Sequence, residues 1–313
     1  MSQELTHRPV LLQETLELLA IRPDGLYVDG TLGRGGHSAE IAKRLTEGGR
    51  LFCIDRDAAA FEGAADKLAP FRDRITFLHG NFRDLPALLD GAGVTRTDGM
   101  LFDLGVSSPQ LDDGERGFSY LRDAALDMRM DRREALTART VVNEWPEEEL
   151  KRIFYTYGEE RYAPAIARAI TQQRARRPIE TTGELTEIIR GAMPGAALRE
   201  AQHPAKRTFQ ALRIAVNDEL GALEELVPAA VERLSPGGRL AIITFHSLED
   251  RIVKQSFQTL ARGCICPPDF PVCTCGRKPA IRLVNKKPIL AGEREIEENP
   301  RARSAKLRGA ERI

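Results

Sequence analysis

No stretch of this sequence offers about 18 consecutive apolar residues, so no transmembrane span is expected. No apolar segment follows a basic start, so no secretory signal is expected either. The net charge is +0, which leaves no global field drawing the chain to nucleic acid or membrane. Cysteines number only five, four of them in one cluster, and nothing demands an oxidising compartment. These absences point to a cytoplasmic protein with no membrane partner. They say nothing of its oligomeric state. What remains is ordinary for a globular protein: 313 residues, 42% hydrophobic and 29% charged, enough for one large or two medium domains.

The informative stretch is LYVDGTLGRGGH (26–37), read with LFCIDRD (51–57). Tyr27 and Val28 favour a strand, and Gly30, Gly33, Gly35 and Gly36 then free the backbone for turns and close approach to a ligand. A helix follows from His37 and stops at Gly48-Gly49. Strand, glycine loop, helix and a second strand ending in an acid make a nucleotide-binding βαβ unit. Asp55 lies where a carboxylate can hold a ribose hydroxyl pair. A third glycine would fall at Ser38, so a dinucleotide fingerprint is incomplete, which counts against a nicotinamide-dependent dehydrogenase. With Asp29 at the end of the first strand, the loop resembles that of class I S-adenosylmethionine-dependent methyltransferases.

A lead-in helix is expected over 7–20, a third strand over Ile75–His79 and a fourth over Asp98–Gly105, with Asp103 at its carboxyl end. A buried unpaired charge is costly, so a carboxylate there has a task. Phe82 either packs on a base or belongs to the core. Residues 106–140 lose periodicity and read as a long loop, a common place for function. Its Phe118 and Tyr120, among arginines, suit stacking on single-stranded bases or anchoring the loop to its own domain. No strand signal appears between 106 and 238. Helices are expected at 146–154, 162–176, 182–190 and, as one element, 205–234. Residues 1–110 hold 12 Lys+Arg and 16 Asp+Glu, whereas 161–213 hold 10 and 4. Any nucleic-acid face therefore lies mid-chain, on Arg174, Arg176, Arg177, Lys206 and Arg207, unless this is only a solvated helix face. A fifth strand is expected over Leu240–Phe245, leading into His246. Cys264, Cys266, Cys273 and Cys275 can hold a structural zinc ion, or are free thiols or a redox-labile pair. Ile281–Asn285 and Ser304–Arg308 are expected to pair as an antiparallel hairpin closing the sheet.

Taken in order, DGTLGRGGHS (29–38), DRD (55–57), DLGVSSPQLD (103–112), RGFSY (116–120), LDMRMD (126–131), HPAKRTFQALRIAVNDEL (203–220) and FHSLEDR (245–251) resemble the MraW family of bacterial small-subunit ribosomal RNA methyltransferases. The resemblance runs from about His7 to the C-terminus. It implies an α/β class I methyltransferase fold, a Rossmann-like doubly wound sheet with an inserted all-helical domain. The boundaries expected are 1–110 with 215–313 for the donor domain, and 111–214 for an RNA-recognising insert. It implies S-adenosylmethionine as donor, a decoding-region cytidine N4 as acceptor, and small-subunit ribosomal RNA or the 30S subunit as partner. The family's cofactor residues fall on Gly35, Gly36, His37, Asp55, Phe82, Asp103 and Gln110; His37 and Gln110 rest on the resemblance alone. The 103–110 loop and His246 are expected to surround the target amine, with Asp103 and His246 as catalytic candidates. A non-catalytic RNA-binding assembly factor is the alternative, but it leaves the polar strand ends unexplained.

Overall fold

The computed structural model describes residues 9–107, 110, 113–264, 266, 270, 272 and 274–313. His7 and Cys273 lie outside them. The chain divides into two compact units, one of residues 1–105 with 220–313 and one of residues 106–219.

The first unit is a sheet covered on both faces. Its strands are β1 (Leu26–Asp29), β2 (Arg50–Asp55), β3 (Ile75–His79), β4 (Thr97–Asp103), β5 (Leu234–Thr244), β6 (Ile281–Leu283), β7 (Ile289–Leu290) and β8 (Lys306–Arg312). Their spatial order is β3-β2-β1-β4-β5-β8-β6, with β7 also paired to β8. The first five strands run parallel, and β8 is antiparallel to β5 and β6. The order turns back between β1 and β4, the switch point beside which open parallel sheets bind ligands.

Alternation along each strand builds two cores. Tyr27, Leu51, Cys53, Leu101, Ala241 and Ile243 face one side, under α1 (Leu12–Leu19), α2 (Gly36–Ala42) and α3 (Ala58–Leu68). Val28, Phe52, Ile54, Met100, Phe102, Leu240 and Ile242 face the other, under α4 (Leu85–Gly91) and the helices Glu219–Arg233 and Ser247–Ala261. Strands buried on both faces need near-continuous apolar runs, which is why β2 and β4 read LFCI and MLF.

The second unit has its own apolar core, built by α5 (Ala138–Glu144), α6 (Glu147–Thr156), α7 (Ala163–Arg174), α8 (Thr182–Ala192) and α9 (Lys206–Asn217). Thr181 and Glu184 cap α8 reciprocally, and Thr137 caps α5 through the Thr140 amide. α10 (Glu219–Arg233) and α11 (Ser247–Ala261) complete the longer helices.

Several expected boundaries move. The lead-in helix begins at Leu12 because Leu11 turns left-handed at φ 52°, with its amide given to the Glu295 carboxylate at 2.7 Å. The single helix expected over 205–234 is two, because Asp218 takes φ 45° and ends α9. β5 starts at Leu234 rather than Leu240. The tail pairs antiparallel, with β8 between β5 and β6. No helix among the described residues is long and apolar enough to cross a membrane.

Candidate functional site

Parallel pairing brings the carboxyl ends of β1, β2, β4 and β5 to one edge of the first unit. The glycine loop after β1 is sewn between its neighbours: the Gly30 amide donates to Leu101 O, and the Leu32 amide to Ile54 O. Gly30 sits so close to Phe102 that an added Cβ would come within 2.0 Å of the ring. Gly35 caps α2 at φ 68°, where its missing side chain also leaves room for Ala64.

Each strand-tip acid is held differently. Asp29 is buried, accepts the Ser38 hydroxyl at 2.6 Å and the Thr31 amide at 3.2 Å, and supports the loop from beneath. Burial raises its carboxyl against those hydrogen bonds. Asp55 accepts the Gly33 amide at 2.9 Å and the Asp57 amide at 2.8 Å. Burial lifts it to about 6, with the two amides pulling the other way. Asp103 is held through its own amide, which donates to Thr31 Oγ1 at 2.6 Å. Burial, helped by the charges of Asp29 and Glu249, pushes its carboxyl up to about 8.

His37 lies 3.7 Å from Asp103, and burial pushes the imidazole down to about 4, so it is neutral at physiological pH. Neither His37 ring nitrogen nor Asp103 Oδ1 makes a hydrogen bond of good geometry among the described residues. Buried polar atoms are rarely left so, and a polar ligand lying across the tips would complete them. Phe82, half-buried, meets Phe102 edge-on with centroids 6.1 Å apart.

His246 has a local task at the tip of β5. It caps α11, its Nδ1 accepting the Glu249 amide at 3.4 Å, while Glu249 returns its carboxylate to the Phe245 and His246 amides. Its Nε2 lies 3.1 Å from Glu249 Oε1. Thr31, Ser38 and Glu249 escaped the sequence reading. The first two lie in the glycine motif itself, whereas nothing in the spacing marks Glu249.

The remaining candidates belong to the second unit, where Gln110 is buried and its Oε1 accepts the Ser107 amide at 3.0 Å. Phe118 is only 6% exposed, with the Arg116 guanidinium 5.8 Å from its ring centre, so it anchors the core of that unit. Tyr120 stacks on His203 at 4.5 Å and meets Phe209 edge-on. Arg174 donates to Val142 O and Arg207 to Glu159 O; Arg177 pairs with Glu184 at 2.9 Å. Arg176 and Lys206 are exposed.

A glycine loop after β1, acids at the tips of β1, β2 and β4, and an antiparallel strand beside β5 define a class I methyltransferase. Within that class the chain belongs to the MraW methylase family, whose model matches residues 4–313. It is 58% identical over 308 residues to the ribosomal RNA small subunit methyltransferase H of Heliobacterium modesticaldum, covering 98% of each chain. The proteins of that name from Brevibacillus brevis and Symbiobacterium thermophilum are 56% and 57% identical over 307 residues. They are covered to 98% and 96% of their lengths, each by 98% of this chain.

Proposed function

We propose that this protein transfers a methyl group from S-adenosylmethionine to the exocyclic N4 of a cytidine in the decoding region of small-subunit ribosomal RNA. The observation that carries the reading is the paired, incompletely bonded His37 and Asp103 at the switch point, beside a glycine loop and the second acid Asp55. The names of the relatives, at 58% identity and below, support the substrate.

When bound, the donor supplies an electrophilic methyl group on a sulfonium. Gly35 and Gly36 allow close backbone approach to it. Asp55, already oriented by two amides, accepts from its ribose hydroxyls. Phe82 would border its base, and His37 and Asp103 would complete its polar contacts.

Cytosine's amino nitrogen is a poor nucleophile because its lone pair is delocalised into the ring. Asp103 and the 103–110 loop would accept hydrogen bonds from its amino group, which localises the lone pair on nitrogen and aligns it for in-line displacement. As the amine took the donor's methyl group and the sulfonium sulfur left, the Asp103 carboxylate would receive the departing amino proton. An acceptor held near neutral pH is matched to that task. His246 positions this tip by fixing Glu249 and the start of α11. The second unit grips RNA with Arg174, Arg176, Arg177, Lys206 and Arg207, and Tyr120 offers an aromatic face beside His203. Phe118 supports that face from within the core. The protein works in the cytoplasm, on ribosomal RNA or the 30S subunit.

The test is methyl transfer from labelled S-adenosylmethionine to small-subunit RNA and to 30S subunits from cells lacking this protein, with mass mapping of nucleosides. N4-methylated cytidine in the decoding region is expected. Methylation at another atom or another RNA would overturn the substrate; no transfer to either form would overturn the reading.

A further inference from the structure

Between α11 and β6 the described residues form no helix or strand, and the connection is tied at both ends. The Ala280 amide donates to Leu260 O at 2.8 Å, Arg277 donates to Thr259 O at 3.0 Å, and Gly263 lies against Pro279. Between these ties three sulfurs converge. The Sγ atoms of Cys264, Cys266 and Cys275 all lie within 4.8 Å of one another, and Cys264 and Cys275 are 3.8 Å apart. Backbone amides point at them: the Cys266 amide donates to Cys264 Sγ at 3.4 Å. The backbone amides of Thr274 and Cys275 also hydrogen-bond to the Cys266 sulfur. Amide donors aimed at sulfur favour thiolate over thiol.

We propose that Cys264, Cys266 and Cys275 are thiolate ligands of a structural metal ion of the zinc class. A tetrahedral centre with zinc–sulfur bonds of about 2.3 Å sets its sulfurs about 3.8 Å apart, the separation found between Cys264 and Cys275. An all-sulfur set selects soft, zinc-like ions over magnesium or calcium. The amides on sulfur play the orienting part that outer contacts play around such centres. The three sulfurs suffice for the proposal; Cys273 is available in the sequence for a fourth bond and lies outside the described residues. No ligand comes from a strand tip, so the ion takes no part in methyl transfer. It fixes a segment too poor in apolar side chains to fold on its own core, and so sets the entry of the chain into β6.

The test uses the full chain, purified in reductant without chelator, with metal measured by mass spectrometry and cobalt(II) added to metal-depleted protein. About one zinc per chain is expected, with the near-ultraviolet charge-transfer and intense visible bands of tetrahedral cobalt–thiolate. The double variant Cys264→Ser/Cys275→Ser should lose at least nine-tenths of the metal, and Cys53→Ser, at a buried cysteine in β2, should keep it. Should the double variant not fold, Cys266→His decides: the cobalt bands must shift as one sulfur gives way to nitrogen. Metal-free wild-type protein that gives no tetrahedral cobalt spectrum, a disulfide among these cysteines under reductant, or bands unmoved by Cys266→His would each overturn the proposal.

Discussion

At the strand tips of the first unit, Asp103 Oδ1 finds no hydrogen-bond partner among the described residues and the buried His37 ring makes only a weak contact with the Val10 backbone, whereas in the second unit Tyr120, Arg174 and Arg207 are engaged by neighbours of their own. Leaving a buried polar group unbonded costs about 1–3 kcal/mol, so a fold tolerates it where a ligand completes the set. An arginine that already donates to a carbonyl of its own unit is held in one orientation and keeps its full charge. The first region reads as a site waiting for contacts, and the second as a scaffold presenting a surface.

The sharpest way to break this contrast is at Asp103. Asp103→Asn should lower single-turnover methyl transfer by about three orders of magnitude while leaving the melting temperature of the donor-free protein unchanged or raised. Turnover within tenfold of wild type would remove Asp103 from the chemistry. In the second unit the pattern should reverse. Phe118→Ala should cost about 3 kcal/mol of unfolding free energy by opening a core cavity, yet leave donor affinity by calorimetry within twofold. A stable Phe118→Ala protein with weakened RNA binding would show that the ring faces RNA after all. Asp55→Ala should weaken the donor by about 2 kcal/mol, roughly thirtyfold, with little change in maximal rate, because it removes contacts to a part of the donor that does not react.

The smallest effect is one of pH. Asp103 is raised from 3.8 to about 8 and Asp55 to about 6. In that window the folded chain keeps protons that the unfolded chain has released, so the stabilisation is complete below about 3.8 and is lost as pH rises through about 8. The 26% exposure of the Asp103 side chain softens the slope. His37, lowered from 6.5 to about 4, works the other way between those values, so denaturant unfolding of donor-free protein should show stability falling most clearly from about pH 6.5 to about pH 8, and Asp103→Asn should flatten that fall. A slope that persists in that variant would place the linked proton elsewhere.

The sheet was readable because the physics is local there. LFCI and MLF are strands buried on both faces, and the turns demanded glycine at Gly30 and Gly35. The tip acids were readable for the same reason, since a carboxylate closing an apolar strand is anomalous by itself. Glu249 was not readable: it matters through a return hydrogen bond to Phe245 that only the fold creates. Asp218 hid the break between α9 and α10 because one left-handed residue leaves no trace in helical periodicity. Phe118 could not be resolved by sequence, because an isolated aromatic between arginines reads alike as a stacking face and as a core anchor.

β4 and β5 are neighbours in the sheet, yet residues 106–219 run between them. Closing a flexible loop of that size costs conformational entropy that grows with the logarithm of its length. If the intervening residues have already folded into their own core, the effective loop is shorter and the two strands meet sooner. The helical insert would then act as an internal tether for the sheet during folding, and weakening its core would slow the appearance of the donor pocket even with every residue at the strand tips left as it is.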